Sequence, residues 1–400
     1  MFLFDPKPTF MQLLDSHLDA GRVAFAASGE RRIVGRGGEA EIGVQVHDPR
    51  FYRRVLAGGN LGMGEAYMDG DFTVDDERLP DLMTLLLRAR LDQRLRGDPR
   101  TLARIAAIQL ENRLRGDHHN VRAHYDIGND LYEAFLDPTL TYSCGYARSE
   151  TADLATLQTD KLARICAKLR LQPGERLLDI GCGYGGLLIH AAREHGVVGQ
   201  GISVSLEHAK LARARIAEAG LAKQITIEVA DHRSLRRASL RRRFDKVVSV
   251  GMMEHLPRRE YGPYFDGIAH VLAPGGLGLV HVIGCNGPRN QHDPFIQRYI
   301  FPGSGQPRLS EISAQLEAHA LPILDVENMI RHYALTLRGW RERFLANRDR
   351  LDPHRYDLRF QRMWDYYLSC GIAAALASDG ALYQVLFTND CAAPIPLARV

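Results

Sequence analysis

The chain has few cysteines, and their spacing suits neither a metal site nor a disulfide framework. Its 400 residues include six, with no C-x-x-C pair: Cys144, Cys166, Cys182, Cys285, Cys370 and Cys391. Closely spaced cysteine pairs are typical of zinc sites, and dense cysteine frameworks are typical of small secreted domains. The sequence therefore predicts no metal centre and a protein of the reducing cytoplasm.

Long apolar runs and a strong charge imbalance are also missing. No apolar stretch approaches the roughly 20 residues that cross a bilayer, and Met1–Phe4 lacks the basic flank of a signal peptide. The 51 basic and 48 acidic side chains leave a net charge of +3, too small to favour nucleic acid as a partner. Five arginines are clustered, at 236, 237 and 241–243, in what is either a solvated loop or a contact for anionic lipid. Any lipid would be handled from the aqueous side.

The chain is long enough for two domains, and its pattern changes along the way. Turn residues interrupt the first part, and Leu79–Leu91 has one apolar helical face. A polar, arginine-rich stretch, Arg113–His119, is typical of a linker. We expect a small α+β N-terminal domain over residues 1–95, a linker over 96–120 and a catalytic domain over 121–400.

Strands and helices alternate beyond Asn120. The predicted strands are Arg176–Ile180, Val197–Ser203, Ile225–Val229, Lys246–Val250 and Leu277–Ile283. The intervening helices include Leu206–Ala219 and Tyr261–Leu272. This alternation predicts an α/β fold with a parallel, doubly wound sheet and a ligand at the carboxyl ends of its strands. Beyond Asn286 the chain becomes helical and aromatic, and we expect a helical cap there.

One glycine-rich turn stands out. Leu177–Ile180 is followed by Gly181, Gly183 and Gly185 and then by a helical pattern. Glycines permit a tight turn and a close backbone approach to a ligand at the positive end of the helix. The spacing does not fit the dinucleotide fingerprint G-x-G-x-x-G. It resembles the first motif of the Rossmann-like methyltransferases that bind S-adenosylmethionine (SAM), although an ordinary strand–helix turn would have the same appearance.

Further motifs extend the resemblance over nearly the whole chain. They are Gly62–Gly70, His124–Tyr132, Thr141–Tyr146, Ser249–Leu256, and the turn Leu272–Gly276 before the strand with His281. Together they resemble the cyclopropane-fatty-acyl-phospholipid synthases and the related mycolic acid cyclopropane synthases. The first of these motifs is similar to the signature of the small N-terminal domain in the phospholipid-acting branch.

The resemblance implies a reaction and a set of residues for it. In that family an alkene attacks the sulfonium methyl of SAM, and a bound bicarbonate removes a proton so that a cyclopropane ring closes. The matching bicarbonate ligands are Cys144, Glu254, His281, Ile283 and Tyr333. Cys370 resembles a family cysteine once considered as a nucleophile, but this chemistry needs no thiol, and we expect a core role for it.

The resemblance also implies cofactor and cation-stabilising residues. The predicted SAM ligands are Tyr142, Ser143, Asp179, Gly181, Gly183, Gly185, Ser203, His208, Asp231 and His232. The carbocation would be stabilised by aromatic rings, for which the candidates are Tyr125, Tyr146, Phe295, Tyr299 and Phe301. One departure concerns the ribose: where the family has Thr-x-Ser-x-x-Gln, this chain has Ser203-x-Ser205-x-x-His208. A neutral imidazole offers one donor and one acceptor and can still bind a sugar.

Each of these residues also has an ordinary structural interpretation. Glu254 would be favoured at a helix N-terminus by the dipole alone. His281 in an apolar strand is by itself typical of a core histidine, and Cys144 of a small buried hydrophobe. Their joint occurrence with the family pattern favours the functional interpretation.

The sequence as a whole predicts a cytoplasmic enzyme that works at the inner membrane surface on unsaturated phospholipid. The resemblance further implies a homodimer. Three alternatives remain open. They are a C-methyltransferase with a methyl-branched or methylene product, a methyltransferase for a small polar metabolite, and a lipid carrier with a degenerate methyltransferase domain.

Overall fold

The computed structural model describes residues 5–38, 41–94, 99–114, 128–287 and 293–392. Its strands are β1 (Gly21–Ala27), β2 (Glu30–Arg36), β3 (Glu41–Val46), β4 (Phe72–Val74), β5 (Arg176–Ile180), β6 (Val198–Ser203), β7 (Ile225–Val229), β8 (Phe244–Val250), β9 (Leu272–Cys285), β10 (Ile323–Asn328) and β11 (Gly380–Thr388). Its α-helices are α1 (Pro6–His17), α2 (Arg50–Met68), α3 (Leu79–Arg88), α4 (Leu91–Arg94), α5 (Pro99–Leu114), α6 (Asn129–Phe135), α7 (Leu154–Leu169), α8 (Gly186–His195), α9 (Leu206–Glu218), α10 (Tyr261–Val271), α11 (Pro294–Tyr299), α12 (Leu309–Ala318), α13 (Ile330–Asn347) and α14 (Leu358–Ala377).

Internal contacts divide the chain into two units. The first comprises Met1–Ala134, Asp293–Pro302 and Arg341–Ser378, and the second comprises Phe135–His292, Gly303–Trp340 and Asp379–Val400. The domain limits expected from the sequence, near 95 and 120, differ from these limits and stay a prediction. Within the predicted linker, residues 99–114 form helix α5.

The first unit contains a four-stranded sheet with the order β2-β1-β3-β4. β1 runs antiparallel to β2 and parallel to β3, and β4 is antiparallel to β3. Aromatic side chains fill its core: the rings of Phe10 and Phe25 lie 5.4 Å apart, and those of Phe51 and Phe72 lie 4.8 Å apart. Burial of such side chains contributes about 1.5–3 kcal/mol each and holds the sheet to α1 and α2.

The motif Gly62–Gly70 forms the second half of α2 and the turn after it. A side chain at Gly64 would lie 2.3 Å from the ring of Phe295, so only glycine fits there. Glu65 accepts a hydrogen bond from Tyr299 Oη at 2.9 Å, and Tyr67 Oη donates to Asp365 Oδ2 at 2.8 Å. The motif therefore packs α2 against α11 and α14 inside the first unit.

The second unit contains a seven-stranded sheet with the order β10-β11-β9-β8-β5-β6-β7. The five strands from β9 to β7 are parallel, as the alternating sequence predicts. β11 is antiparallel to β9 and to β10. The expectation of a wholly parallel sheet is therefore wrong for two strands, both of which follow Asn286, where only a helical cap is expected.

Helices cover both faces of the second sheet. Leu177 packs on one face with residues of α7, α8 and α9, and its neighbour Leu178 packs on the other with residues of α10 and α12. Successive side chains of a strand point to opposite faces of the sheet. Both leucines are fully buried because helices cover each of these faces. The predicted doubly wound, Rossmann-like fold is confirmed.

No helix among the described residues combines the length and the apolar composition needed to cross a membrane.

Candidate active site

The glycine-rich turn lies at the carboxyl end of β5. Gly181, Gly183 and Gly185 have φ values of +82°, +51° and +78°, in the left-handed region that favours glycine. A side chain at Gly181 would lie 3.1 Å from Met252, whereas one at Gly183 would meet no described atom within 4 Å. The turn is therefore closed on the Gly181 side and open to a ligand at Gly183.

A buried carboxylate lies next to this turn. Asp179, on β5, is 3% exposed, and its Oδ1 has no hydrogen-bond partner among the described residues. Burial raises its pKa to about 7, and the ammonium of Lys161 opposes that rise. A buried carboxylate oxygen without a partner costs free energy. A cationic ligand such as the amino group of SAM would offset that cost.

Helix α7 holds the segment that contains Ser143 and Cys144. Lys161 Nζ donates to Ser143 Oγ at 3.1 Å, and Gln158 Nε2 donates to the Ser143 carbonyl at 2.8 Å. On the other side, Gly145 N–H donates to Thr336 Oγ1 at 2.9 Å. Lys161, Gln158 and Thr336 are not identified from the sequence. The one sequence signal for such a role is a polar residue on an otherwise apolar helical face.

The predicted adenosine contacts follow β5, β6 and β7. Ser205 caps α9 by accepting the His208 N–H at 3.2 Å, and the His208 ring lies 4.6 Å from that of Tyr184 in the glycine turn. His208, which stands where the family has glutamine, thus lies beside the glycine-rich turn. The Asp231 carboxylate accepts from Arg233 Nε at 2.7 Å, and His232 next to it is 5% exposed.

Two other predicted cofactor residues make structural contacts. Ser203 Oγ accepts the Ser205 N–H at 3.2 Å. The Tyr142 ring packs against Trp340 with centroids 5.1 Å apart. Contact of any of these residues with SAM stays a prediction.

Glu254 lies in a short 3-10 turn, Met253–His255, after β8. It is 5% exposed; its Oε1 accepts the Ile283 N–H at 3.4 Å, and its Oε2 has no partner among the described residues. Burial raises its pKa to about 7. A side chain at Gly251 would lie 3.8 Å from Glu254 Oε1 and 3.9 Å from Ser143 Cβ, so Glu254 and the Ser143 segment share one neighbourhood.

His281 lies on β9, two residues before Ile283 and on the same face of the sheet. Gln384 Nε2, on β11, donates to His281 Nδ1 at 3.2 Å, and His281 Nε2 has no partner among the described residues. Burial, together with the charges of Lys161 and Lys168, holds the pKa of His281 well below its usual value. The ring is therefore neutral with its proton on Nε2, which makes that atom a hydrogen-bond donor.

The other predicted bicarbonate ligands pack together. Cys144, 1% exposed, forms a small cluster with partly buried Ile283 and Tyr333. Burial raises the pKa of the Cys144 thiol, so only its backbone is available for an anion. Ile283 connects this cluster to Glu254, because its N–H donates to Glu254 Oε1. It also lies two residues after His281 on β9. The structure thus brings all five predicted residues into the second unit, with Ile283 as their common neighbour.

The aromatic candidates are placed differently. The Tyr146 ring stacks on His332 at 4.7 Å, and the Arg164 guanidinium lies 4.3 Å from its centroid. Both groups compete with a substrate for the surface of the ring. Phe295, Tyr299 and Phe301 belong to the first unit, and Tyr125 lies outside the described residues.

Cys370 also belongs to the first unit. Its thiol is 7% exposed and lies 3.5 Å from Asn60 Nδ2, and burial raises its pKa well above the usual value. Such a thiol is not an activated nucleophile. Its expected core role stays the better interpretation.

Known proteins give a consistent picture. The family model described as mycolic acid cyclopropane synthetase matches residues 112–385. The chain is 38% identical over 364 residues to cyclopropane-fatty-acyl-phospholipid synthase of Escherichia coli (strain K12), covering 90% of this chain and 92% of that protein. It is 34% identical over 359 residues to tuberculostearic acid methyltransferase UfaA1 of Mycobacterium tuberculosis, covering 85% of this chain and 81% of that one. The solved structure of mycolic acid cyclopropane synthase CmaA1 complexed with SAH and CTAB is 27% identical, covers 67% of this chain and 96% of its own, and superposes with a TM-score of 0.58.

Proposed function

The chain belongs to the mycolic acid cyclopropane synthetase family, and on that premise we propose that it transfers the methyl group of SAM to the double bond of unsaturated phospholipid acyl chains and closes a cyclopropane ring. One observation carries the proposal. Glu254 and His281, both nearly fully buried and both next to Ile283, each present one polar atom without a partner among the described residues. An acceptor and a donor held in this way suit a small anion that has its own hydroxyl group.

The cofactor site is proposed at the glycine turn. SAM supplies an electrophilic methyl group on a sulfonium. Asp179 binds the amino group of SAM, Gly183 lets the backbone approach it, and Ser143 binds its carboxylate end. His208, beside Tyr184, binds the ribose with its neutral imidazole because burial lowers the pKa of the ring. Asp231 and His232 are proposed next to the adenine.

The base is proposed to be bicarbonate. It supplies an oxygen that accepts the proton lost on ring closure. Glu254 accepts a hydrogen bond from its hydroxyl, while His281 Nε2 and the Cys144 N–H donate to its other oxygens. The Ile283 N–H, which donates to Glu254 Oε1 over a long 3.4 Å, is shared with the anion. Tyr333 completes the site from the same cluster.

These side chains also exclude water. Cys144, Glu254 and His281 are 1%, 5% and 2% exposed. Electrostatic interactions are stronger in such a dry environment, and a carbocation there is protected from capture by water. A cation-stabilising role of Tyr146 stays a prediction, and its ring already contacts His332 and Arg164.

The partners follow from this chemistry. The substrate is an unsaturated phospholipid reached at the inner membrane surface, and the working form is proposed to be a homodimer. The arginine cluster supports contact with the membrane surface only in part, because Arg236 is paired with Asp266 and Arg237 with Glu228. Arg241, Arg242 and Arg243 are exposed and can meet anionic lipid.

One relative supports a different product as the alternative. The similarity to a methyltransferase of tuberculostearic acid keeps a methyl-branched or methylene product as the alternative. The ring is favoured by the similarity to cyclopropane-fatty-acyl-phospholipid synthase over 90% of this chain. A methylene product would need the same base for a proton of the transferred methyl group, and a saturated methyl branch would need a hydride donor in addition.

The test is lipid analysis with methyl-labelled SAM. The purified full chain is incubated with vesicles of unsaturated phospholipid, and the acyl chains are examined by mass spectrometry and proton NMR. We expect one labelled carbon per modified double bond and the upfield proton signals of a cyclopropane. A labelled branched chain without ring signals would replace the proposal by the alternative, and no labelled lipid would contradict both.

A further inference from the structure

Lys161 is a buried ammonium that the proposed function leaves without a task. It lies on α7, is 1% exposed, and within the described part of the chain its Nζ makes one hydrogen bond, to Ser143 Oγ at 3.1 Å. A lysine has three N–H donors, and burying its charge costs free energy unless that charge is compensated. A core position on an apolar face would be filled at lower cost by leucine or methionine.

Two carboxylates lie near Lys161. Asp137, 2% exposed, accepts the N–H of Thr139 at 2.8 Å and that of Thr141 at 3.1 Å. Asp179 interacts electrostatically with the ammonium and keeps Oδ1 without a partner among the described residues. Asp137 also interacts electrostatically with the Arg215 guanidinium. Asp179 is therefore the carboxylate available to the ammonium of SAM.

We propose that Lys161 is a positioning residue of the cofactor site, which orients the Ser143 hydroxyl and balances the charge of the neighbouring Asp179 carboxylate for SAM. The inference rests on the proposed function because it takes SAM as the ligand. Lys161 acts through Ser143 and Asp179 and does not itself touch the methyl group. Helix α7 thereby links the cofactor residue Ser143 to its neighbour Cys144 in the proposed base site.

The direction of the effect follows from the two charges. Burial raises the pKa of Asp179 to about 7, and the Lys161 ammonium is the charge that opposes this rise. Burial in turn lowers the pKa of Lys161 to about 8. Without the ammonium, burial acts unopposed and Asp179 stays protonated to higher pH. A protonated Asp179 has lost the charge that attracts the amino group of SAM.

Six of the titratable groups that face the pair stay neutral around pH 7. The groups that face Lys161 or Asp179 are Asp137, Cys144, Cys166, Cys182, His190, Tyr264 and His281. Burial raises the pKa of the three thiols and of the tyrosine and lowers that of both histidines, so these six are neutral around pH 7. Glu254 titrates near pH 7 as well. The Glu254→Gln variant therefore serves to remove its contribution.

The experiment measures SAM affinity of the full chain by calorimetry from pH 5.5 to 7.5, where the α-amino group of SAM, whose pKa is about 8, still carries its proton. For the unaltered chain we expect affinity to fall as the pH drops below about 7. In Lys161→Met we expect the midpoint of this fall to move up by about one pH unit, which makes the loss of affinity relative to the unaltered chain about tenfold near pH 6 and smaller as the pH rises. Lys161→Arg should keep the original midpoint, since it keeps the charge.

The matched control is Lys168→Met. Lys168 is a second buried lysine on α7, 5% exposed, and pairs with Glu327 at 2.7 Å. Its loss should cost stability without moving the midpoint of SAM binding. Ser143→Ala should lower SAM affinity equally at all pH values, because it removes the hydroxyl and leaves the charge.

Equal midpoints in Lys161→Met and the unaltered chain would overturn the inference, and so would a loss of affinity that is uniform in pH. If Lys161→Met does not fold, as judged by circular dichroism, Asp179→Asn decides, because it must abolish the pH dependence near 7. With Glu254→Gln also present to remove the titration of that carboxylate, a fall in affinity below pH 7 that survives in Asp179→Asn overturns the inference. Failure of the proposed function is recognised separately, since the unaltered chain would then bind no SAM or form no ring.

Discussion

Buried carboxylates of the two units differ in how fully they are hydrogen-bonded. In the first unit, Tyr67 and Arg341 both hydrogen-bond to Asp365, and Glu65 binds Tyr299. In the second unit, Asp179, Glu254 and His281 each keep one atom without a partner among the described residues. A buried polar atom costs free energy until it is hydrogen-bonded. Paired groups therefore stabilise the first unit, whereas the unpaired groups of the second are explained by a ligand.

The largest expected effect breaks the paired set. Arg341→Met leaves the Asp365 carboxylate, 4% exposed, without its cation. We expect the free energy of unfolding to fall by about 3–5 kcal/mol, the usual cost of removing one partner from a buried ion pair. Chemical denaturation measures this loss. The affinity of the folded chain for SAM should stay within about twofold of that of the unaltered chain, because the substitution changes stability and not the cofactor site.

Lys7→Met is the control for that change. Lys7 pairs with Glu30, whose side chain is 79% exposed, so its loss should change stability far less. A change in turnover per folded molecule in Arg341→Met, with stability unaltered, would contradict the structural role of the pair.

The next effect concerns the unpaired set. Glu254→Gln keeps the shape of the side chain but removes its charge and turns one of its two acceptor oxygens into an N–H donor, which no longer suits the hydroxyl of the bound anion. We expect turnover to fall by about a hundredfold or more, the range for a misplaced general base, while SAM affinity changes little. Rates of labelled ring formation and binding calorimetry measure the two quantities.

The pH dependence sharpens this prediction. Since burial raises the pKa of Glu254 to about 7, the protonated form dominates below that pH and turnover of the unaltered chain should fall there. At saturating SAM and bicarbonate, Glu254→Gln should lack this decline. The control is Glu228→Gln, an exposed carboxylate paired with Arg237, which should keep both rate and profile. Full activity in Glu254→Gln would refute the assigned base site.

The smallest effect concerns Gln384. Gln384→Leu removes the donor to His281 Nδ1, so the ring proton is no longer held on Nε2. We expect turnover to fall about tenfold, the lower end for loss of an orienting hydrogen bond in a site of this kind. Nitrogen NMR of His281 should show a mixture of tautomers. Thr388→Val, on the same strand with its hydroxyl on the Gly276 carbonyl, should leave both unchanged.

The sequence predicts the central strands well because each is a buried, nearly continuous apolar run between turn residues. β5 and β7 have the predicted limits, and β6 differs by one residue. β10 is not predicted, because its acidic residues Asp325 and Glu327 break any apolar pattern and pair with Lys168. β11 is apolar but follows a long helix, where only more helix is expected.

The residues of the candidate site likewise divide into those with a sequence motif and those without one. Residues in motifs, such as Glu254 and His281, are identified because several motifs occur together. Lys161 and Gln384 are missed because a single polar residue in an apolar pattern does not say which group it faces. Lys161 faces Ser143 from α7, and Gln384 faces His281 across two antiparallel strands. Such pairings are set by packing and register and have no local signal.

The position of β11 between β9 and β10 has a consequence for how the protein is made. β5 to β9 come off the ribosome in one block and can pair with one another as they emerge. β10 has its sheet partner in β11 alone, so its edge stays uncovered until residues 380–388 have been synthesised. The cofactor half of the sheet can thus form early, whereas Gln384 reaches His281 only with β11.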